Sequence, residues 1–185
     1  MINNQRKFPG DRWPEAEPVL LRGEDPPYLT RYARDVIKGR WPEAEPAILK
    51  GPSSDIYRYV KVVGERLPEA EKILLEKANP MSLYLYAADV IQGPWPEAES
   101  ILLESIDPNN LHRYAKDVIQ DRWPEAEPIL LEKADSVTLY EYARDVIKGR
   151  WPKAEPILLE KAGSLLLRLY AADVIQGPWP EAGIE

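Results

Sequence analysis

Few side chains in this sequence could do chemistry, and their spacing decides which kind. The one histidine, His112, stands in a column that holds Thr30, Tyr57, Tyr84, Tyr140 and Arg168 in equivalent segments, so it reads as a surface residue rather than a general base. Glutamates recur two apart, as in Glu15 and Glu17, but residues two apart on a helix point away from each other and make no acid–base pair. The chain has no cysteine, which removes disulfides, thiolate metal ligands and cysteine nucleophiles together. It also lacks a phosphate-binding glycine loop, a nucleophile elbow and a zinc-binding helix motif. The sequence therefore predicts a non-enzymatic protein with no cofactor and no metal.

Recognition is the chemistry that the varying positions suit. Four residues after Thr30, Tyr57, Tyr84, His112, Tyr140 and Arg168 come Arg34, Lys61, Ala88, Lys116, Arg144 and Ala172. Spacing of i, i+4 sets the two columns side by side on a helix. The residues four further on, Lys38, Glu65, Gln92, Gln120, Lys148 and Gln176, extend the same strip. Cations on a solvated helix face can be plain ion-pair decoration, worth a few tenths of a kcal/mol each. Tyr and Arg are also the residues enriched where proteins bind one another. The expected contact residues are Arg34, Tyr57, Lys61, Tyr84, His112, Lys116, Tyr140 and Arg144.

A period supplies the elements that must hold this strip. The segment opened by Trp13 returns at Trp41, Leu67, Trp95, Trp123, Trp151 and Trp179, at steps of 28 residues with one of 26. Units this short cannot bury an apolar face alone and must stack on their neighbours. The predicted fold is all-α, an α-solenoid of six two-helix repeats at residues 13–40, 41–66, 67–94, 95–122, 123–150 and 151–178. Residues 1–12 form an N-terminal cap or flexible lead, and 179–185 a truncated seventh repeat in which Gly183 replaces the usual Glu.

In each repeat a first helix, A, opens at the Trp-Pro pair, where a proline costs no hydrogen bond and the following glutamates suit the helix dipole. A second proline at 18, 46, 128 and 156 should tighten or bend the first turn; Lys72 and Ser100 stand there in the other two repeats. The second helix, B, is capped at Asp25-Pro26, Asn79-Pro80, Asp107-Pro108, Asp135-Ser136 and Gly163-Ser164. It should end at Gly39, Gly93, Gly149 and Gly177. The second repeat is one residue short in both halves and should kink the array or change its pitch.

The recurring aromatic columns, the tryptophans and Tyr32, Tyr59, Tyr86, Tyr114, Tyr142 and Tyr170, are expected to form the core between repeats. Asp35, Asp89, Asp117, Asp145 and Asp173 lack a constant basic residue four positions earlier, so they should accept bonds from backbone N–H groups or the adjoining indole.

Composition bounds the partner. At 44% hydrophobic and 30% charged residues with a net charge of −7, the chain suits a soluble protein, and the charge argues against nucleic acid or an anionic membrane. The amino-terminal segment has no apolar signal region and no stretch is long enough to span a bilayer, so the expected location is the cytoplasm.

The wording YARDVIKGRWPEAEP resembles a short tandem repeat of uncharacterised proteins from tailed bacteriophages and some large viruses, over Trp13 to Glu181. The architecture resembles helical-pair solenoids of the HEAT and tetratricopeptide kind. The resemblance carries over no activity or functional residue; it implies binding to a host protein, a defence component among the candidates, in the host cytoplasm. The expected partner is thus a protein, met by a monomer or weak oligomer. The alternatives are an acidic mimic of nucleic acid, using the glutamates of the A helices, and single-stranded nucleic-acid binding by the basic, tyrosine-bearing strip.

Overall fold

A computed structural model describes residues 12–105 and 107–185; of the expected amino-terminal lead only Arg12 falls within them. Among the described residues twelve α-helices alternate as A and B elements: α1 (Glu17–Gly23), α2 (Pro26–Tyr32), α3 (Glu45–Ile48), α4 (Ser53–Val63), α5 (Pro68–Lys77), α6 (Pro80–Tyr86), α7 (Pro96–Ser105), α8 (Pro108–Tyr114), α9 (Glu127–Lys133), α10 (Ser136–Tyr142), α11 (Glu155–Lys161) and α12 (Ser164–Tyr170). The chain divides into two compact halves, one up to Val90 and one from Ile91. In the first, α2 packs on α3 and α4, and α4 on α5 and α6; in the second, α8 packs on α9 and α10, and α10 on α11 and α12. One helix of each pair meeting both helices of the next is the packing of an all-α helical-repeat solenoid.

Proline placement sets the length of the A helices. A proline at 18, 46, 128 or 156 has no N–H to give the carbonyl four residues back, so the Pro-Glu-Ala segment before it closes as turns. Ala16, Ala44, Ala126 and Ala154 donate to the carbonyls of Trp13, Trp41, Trp123 and Trp151 at 2.8–3.0 Å, three residues back. The α-helix then begins at Glu17, Glu45, Glu127 or Glu155. Where Lys72 and Ser100 replace the second proline, α5 and α7 begin a turn earlier, at Pro68 and Pro96.

The B helices start as their caps predict. Asn79 accepts the Ser82 N–H, Asp107 the Asn109 N–H and Asp135 the Thr138 N–H; Asp25 and Gly163 hold the cap position without a side-chain bond. They end differently from expectation. After the tyrosine that closes each of them, α2, α6, α8, α10 and α12 widen into one π turn, at Ala33–Ile37, Ala87–Ile91, Ala115–Ile119, Ala143–Ile147 and Ala171–Ile175. The Lys38 N–H reaches the Ala33 carbonyl five residues back at 2.6 Å, and Gln120 reaches Ala115 at 2.8 Å. The left-handed residue that reverses the chain is therefore Lys38, Gln92, Gln120, Lys148 or Gln176, at φ 57–60°; in all but Gln120, which Asp121 follows, it stands one position before the glycine expected to do it.

The second repeat shows what the π turn is for. Counting from its buried tyrosine, Tyr59, it reaches its left-handed residue one position sooner, and α4 stays α-helical to Val63 before Gly64 turns the chain at φ 77°. The missing residue is the one the other repeats take up in the wider turn. In the other half of this repeat, α3 is reduced to four residues, and Gly51 brings the backbone against Pro26, where a Cβ would stand 2.7 Å from the proline ring.

The aromatic columns fill the core. Trp41, Trp95, Trp123, Trp151 and Trp179 and the tyrosines from Tyr59 to Tyr170 are buried, and Leu67 takes the missing tryptophan's place. Ring pairs Tyr32–Trp41, Tyr114–Trp123, Tyr142–Trp151 and Tyr170–Trp179 lie with centroids 5.0–5.1 Å apart, each joining one repeat to the next inside its own half. Trp13 departs from its column: no described tyrosine precedes it and it is 57% exposed. At the other end Trp179 is held by paired backbone bonds with Ile184, at 2.8 and 3.0 Å, closed through a short 3₁₀ turn and Gly183.

Candidate functional site

Two ladders of side chains run through the repeats, and together they decide which groups are free to meet a ligand. The first is internal to each repeat. Tyr59, Tyr114 and Tyr170 turn their hydroxyls to the backbone N–H of Trp41, Trp95 and Trp151, accepting at 2.7–2.9 Å. The same hydroxyls donate to Glu45, Glu99 and Glu155 on the A helix at 3.0–3.3 Å. Tyr32 and Tyr86 repeat the arrangement with Trp13 and Glu17, and with Leu67 and Glu71. Burial pushes the Tyr142 and Tyr170 hydroxyls up to about 12, so they stay protonated donors.

Glu17, Glu45, Glu71, Glu127 and Glu155 are each completed by an arginine five residues earlier. Arg12, Arg40, Arg66, Arg122 and Arg150 clamp Glu17, Glu45, Glu71, Glu127 and Glu155 with two N–H bonds apiece, at 2.6–3.2 Å. The arginine bond holds Glu17, Glu45, Glu71 and Glu155 below the usual carboxylate range against the opposing effect of burial. The sequence held the signal for these clamps, an arginine column five residues ahead of a glutamate column, broken only where Pro94 and Pro178 stand. Five glutamates of the expected acidic ridge are thereby neutralised. The glutamates left exposed on the first turns are Glu15, Glu43, Glu69, Glu97 and Glu125.

The second ladder joins successive B helices within each half, and it is where the expected contact strip lies. Tyr57 donates to Asp89 of the next repeat, and Lys61 reaches the same carboxylate at 2.8 Å. Lys116 reaches Asp145 at 2.8 Å, and Tyr140 donates to Asp173 at 2.5 Å. Arg144 grips Asp145 through two bonds of 2.6 and 2.9 Å and lies over the Tyr140 ring, 4.9 Å from its centroid. Asp89, Asp145 and Asp173 therefore bind a tyrosine or lysine of the preceding repeat, and Asp35 binds Arg31 and Arg34 of its own, rather than backbone N–H groups or an indole. The indole N–H groups of Trp41 and Trp151 have no partner among the described residues. For Asp89, Asp145 and Asp173 the tyrosine or lysine partner stands about one repeat earlier in sequence, beyond the reach of a search confined to one helix.

The predicted contact residues divide accordingly. Tyr57, His112 and Tyr140 are buried in the seam, Tyr84 and Arg144 are half-buried, and Arg34, Lys61 and Lys116 are exposed. His112 corrects the expectation of a surface residue. It is 6% exposed, with Nδ1 3.8 Å from Glu141 and Nε2 3.9 Å from Asp145, and Nε2 is buried without a hydrogen bond. Burial lowers its pKa, against the pull of Glu141 and Asp145.

Between neighbouring B helices the seam opens into cavities whose chemistry differs. A cavity of about 570 Å³ between α2 and α4 is lined by Arg31, Arg34, Arg58 and Lys61 with Thr30 and Val62. One of about 450 Å³ between α4 and α6 is lined by Ser54, Asn79, Ser82, Met81 and Leu85. A third, about 500 Å³ between α10 and α12, is largely apolar, with Val137, Leu165 and Leu169 all exposed beside it. Among the described residues no group of three or more His, Asp or Glu could hold a metal ion, and no helix is long and apolar enough to cross a membrane. Comparison with protein-family models, with curated proteins and with solved structures returned no match.

Proposed function

We propose that this chain is a non-enzymatic protein-binding array that reads its partner along the B helices. The observation that carries this is the contrast between backbone and lining. Five B helices share the same helix-and-π-turn backbone, yet the grooves beside them pass from basic to polar to apolar. A repeat scaffold presenting unlike pockets on a repeated frame suits an extended protein ligand better than a single small molecule. Exposed Arg34, Lys61 and Lys116 contribute charge at the rim, and Tyr28, Val137 and Leu165 contribute apolar area. The resemblance noted above makes a host protein in the cytoplasm the natural partner. The pairing of Glu17, Glu45, Glu71, Glu127 and Glu155 with arginine weighs against a nucleic-acid mimic, because those charges are already answered.

The test is to capture a partner with the intact chain, purify it, and measure its affinity for charge-reversed Arg34, Lys116 and Arg144, with unfolding curves run beside each variant. At least a tenfold loss is expected from these reversals and little from changing Glu43, Glu69, Glu97 and Glu125 to Gln. The opposite pattern would establish the mimic, and a steep loss with salt on an RNA ligand would establish nucleic-acid binding.

A further inference from the structure

The junction between α2 and α4 lacks a part that other junctions possess. Three residues after the buried tyrosine, the other repeats carry the seam aspartate, and Asp89, Asp145 and Asp173 take a proton donor or a cation from the helix before. In the second repeat that position is Val62. Two consequences are visible. Thr30, in the column of Tyr57 and Tyr140, is 6% exposed, and its Oγ1 has no hydrogen-bond partner. Arg34, in the column of Lys61 and Lys116, has no carboxylate at the Val62 position to reach and pairs with Asp35 of its own repeat, at 2.7 and 3.1 Å, as Arg144 does with Asp145. The space left is the 570 Å³ cavity, whose lining has four cationic side chains and one carboxylate, Asp55. Asp55 is itself buried and held by Arg58 at 3.3 Å.

We propose that this cavity is a carboxylate-binding site that takes an acidic side chain of a protein partner in the place where the other repeats carry their own aspartate. The proposal rests on the protein-binding reading and names the chemistry of one of its pockets. The junction between α4 and α6 serves as the template: a hydroxyl donor, Tyr57, and a cation, Lys61, on one B helix converge on one carboxylate oxygen of Asp89. Thr30 Oγ1 and Arg34 supply the same two functions from α2 and the turn that follows it, and Arg58 and Lys61 face them from α4. A buried hydroxyl without a partner is costly, and an arriving carboxylate removes that cost. The template contains a carboxylate, planar with two acceptor oxygens, and this favours an Asp or Glu side chain over a tetrahedral phosphate.

The test uses the full chain and three probes: a blocked hexapeptide bearing two glutamates, the same peptide with glutamines, and inorganic phosphate. Calorimetry reads affinity, and the Thr30 methyl resonance reports occupancy. The acidic peptide is expected to bind at least tenfold more tightly than its glutamine form and than phosphate, and to shift the Thr30 methyl. Val62→Asp, which restores the residue present elsewhere in the column, should fill the site from within, weaken the peptide at least tenfold and raise the melting temperature. Thr30→Val, should the first variant fold poorly, should weaken the peptide severalfold while leaving the chain at least as stable. Equal binding to wild type and both variants would overturn the site and leave the protein-binding reading standing. Failure of the acidic peptide to bind, or tighter binding of phosphate, would overturn the carboxylate assignment. The protein-binding reading falls only if the charge reversals leave a captured partner's affinity unchanged.

Discussion

The hydroxyl of Tyr114 accepts the backbone N–H of Trp95 at 2.7 Å, nineteen residues away, and so ties the end of one B helix to the start of its own A helix. The same oxygen donates to Glu99, while the ring of Tyr114 lies 5.1 Å from that of Trp123 in the next repeat. One side chain thus closes its own repeat and forms the floor for the following one. Tyr114→Phe keeps the ring and removes the oxygen, leaving a buried N–H with nothing to bond. The expected cost is about 1–3 kcal/mol in urea unfolding. Tyr28→Phe, at a 66% exposed tyrosine, should change stability by less than about 0.5 kcal/mol.

The second proline of the A helix predicts its own reversal. Pro128 delays α9 to Glu127, whereas Lys72, in the same column, lets α5 begin at Pro68. Pro128→Lys should therefore extend α9 back to Pro124, adding far-ultraviolet helical signal and protecting amide protons at residues 126–128. The stability change should be small, because the new helical bond is offset by the roughly 0.4–1 kcal/mol of unfolded-state entropy that proline had removed.

Much of this was legible in the residues. The tryptophan period gave the repeats, the Trp-Pro and Asp-Pro pairs gave the helix starts, and alternation of aromatic columns gave the core, because each of these is a local rule applied six times. The helix ends were not legible. A π turn differs from an α turn by one residue, and Gly39 suits a helix end whether the left-handed residue is Gly39 itself or Lys38 just before it. The shorter second repeat carried the clue, since Gly64 does sit at the reversal once the extra residue is gone. The seam was hidden for another reason. Lys61 and Asp89 are 28 residues apart, and their pairing follows only if the repeat length is treated as a contact distance. His112 was misplaced because its column holds polar and aromatic residues, which look like a surface until the next repeat is stacked over them.

Gly51 is held to glycine by space rather than by φ. A Cβ there would lie 2.7 Å from both Cβ and Cγ of Pro26 and 3.0 Å from the Ile48 carbonyl. Gly51→Ala should cost about 1–3 kcal/mol as an overpacked contact between the first two repeats. Gly23→Ala, where nothing stands within 4 Å, is the control and should be near neutral in the same thermal melt.

His112 makes stability depend on pH in a window where carboxylates are silent. Burial disfavours its charged form; Glu141 and Asp145 oppose that shift, Lys116 reinforces it, and the net pKa lies below the ordinary 6.5. The unfolded chain therefore takes up a proton first as the pH falls. Above about 6.5 both states hold neutral imidazole and the residue contributes no slope. Below it the unfolded state binds more protons, so stability falls with decreasing pH until the folded pKa is passed. Asp145 adds nothing there, because Arg144 and then Lys116 hold it below the usual carboxylate range despite its burial, and its contribution is lost only in stronger acid. His112→Tyr replaces the imidazole with the side chain that its column carries at Tyr57 and Tyr140, each of which donates to the aspartate of the next repeat. The variant should lose the slope in melting temperature between pH 7 and 5 and should be more stable than wild type at pH 5. A slope that survives the substitution would place its origin outside this histidine.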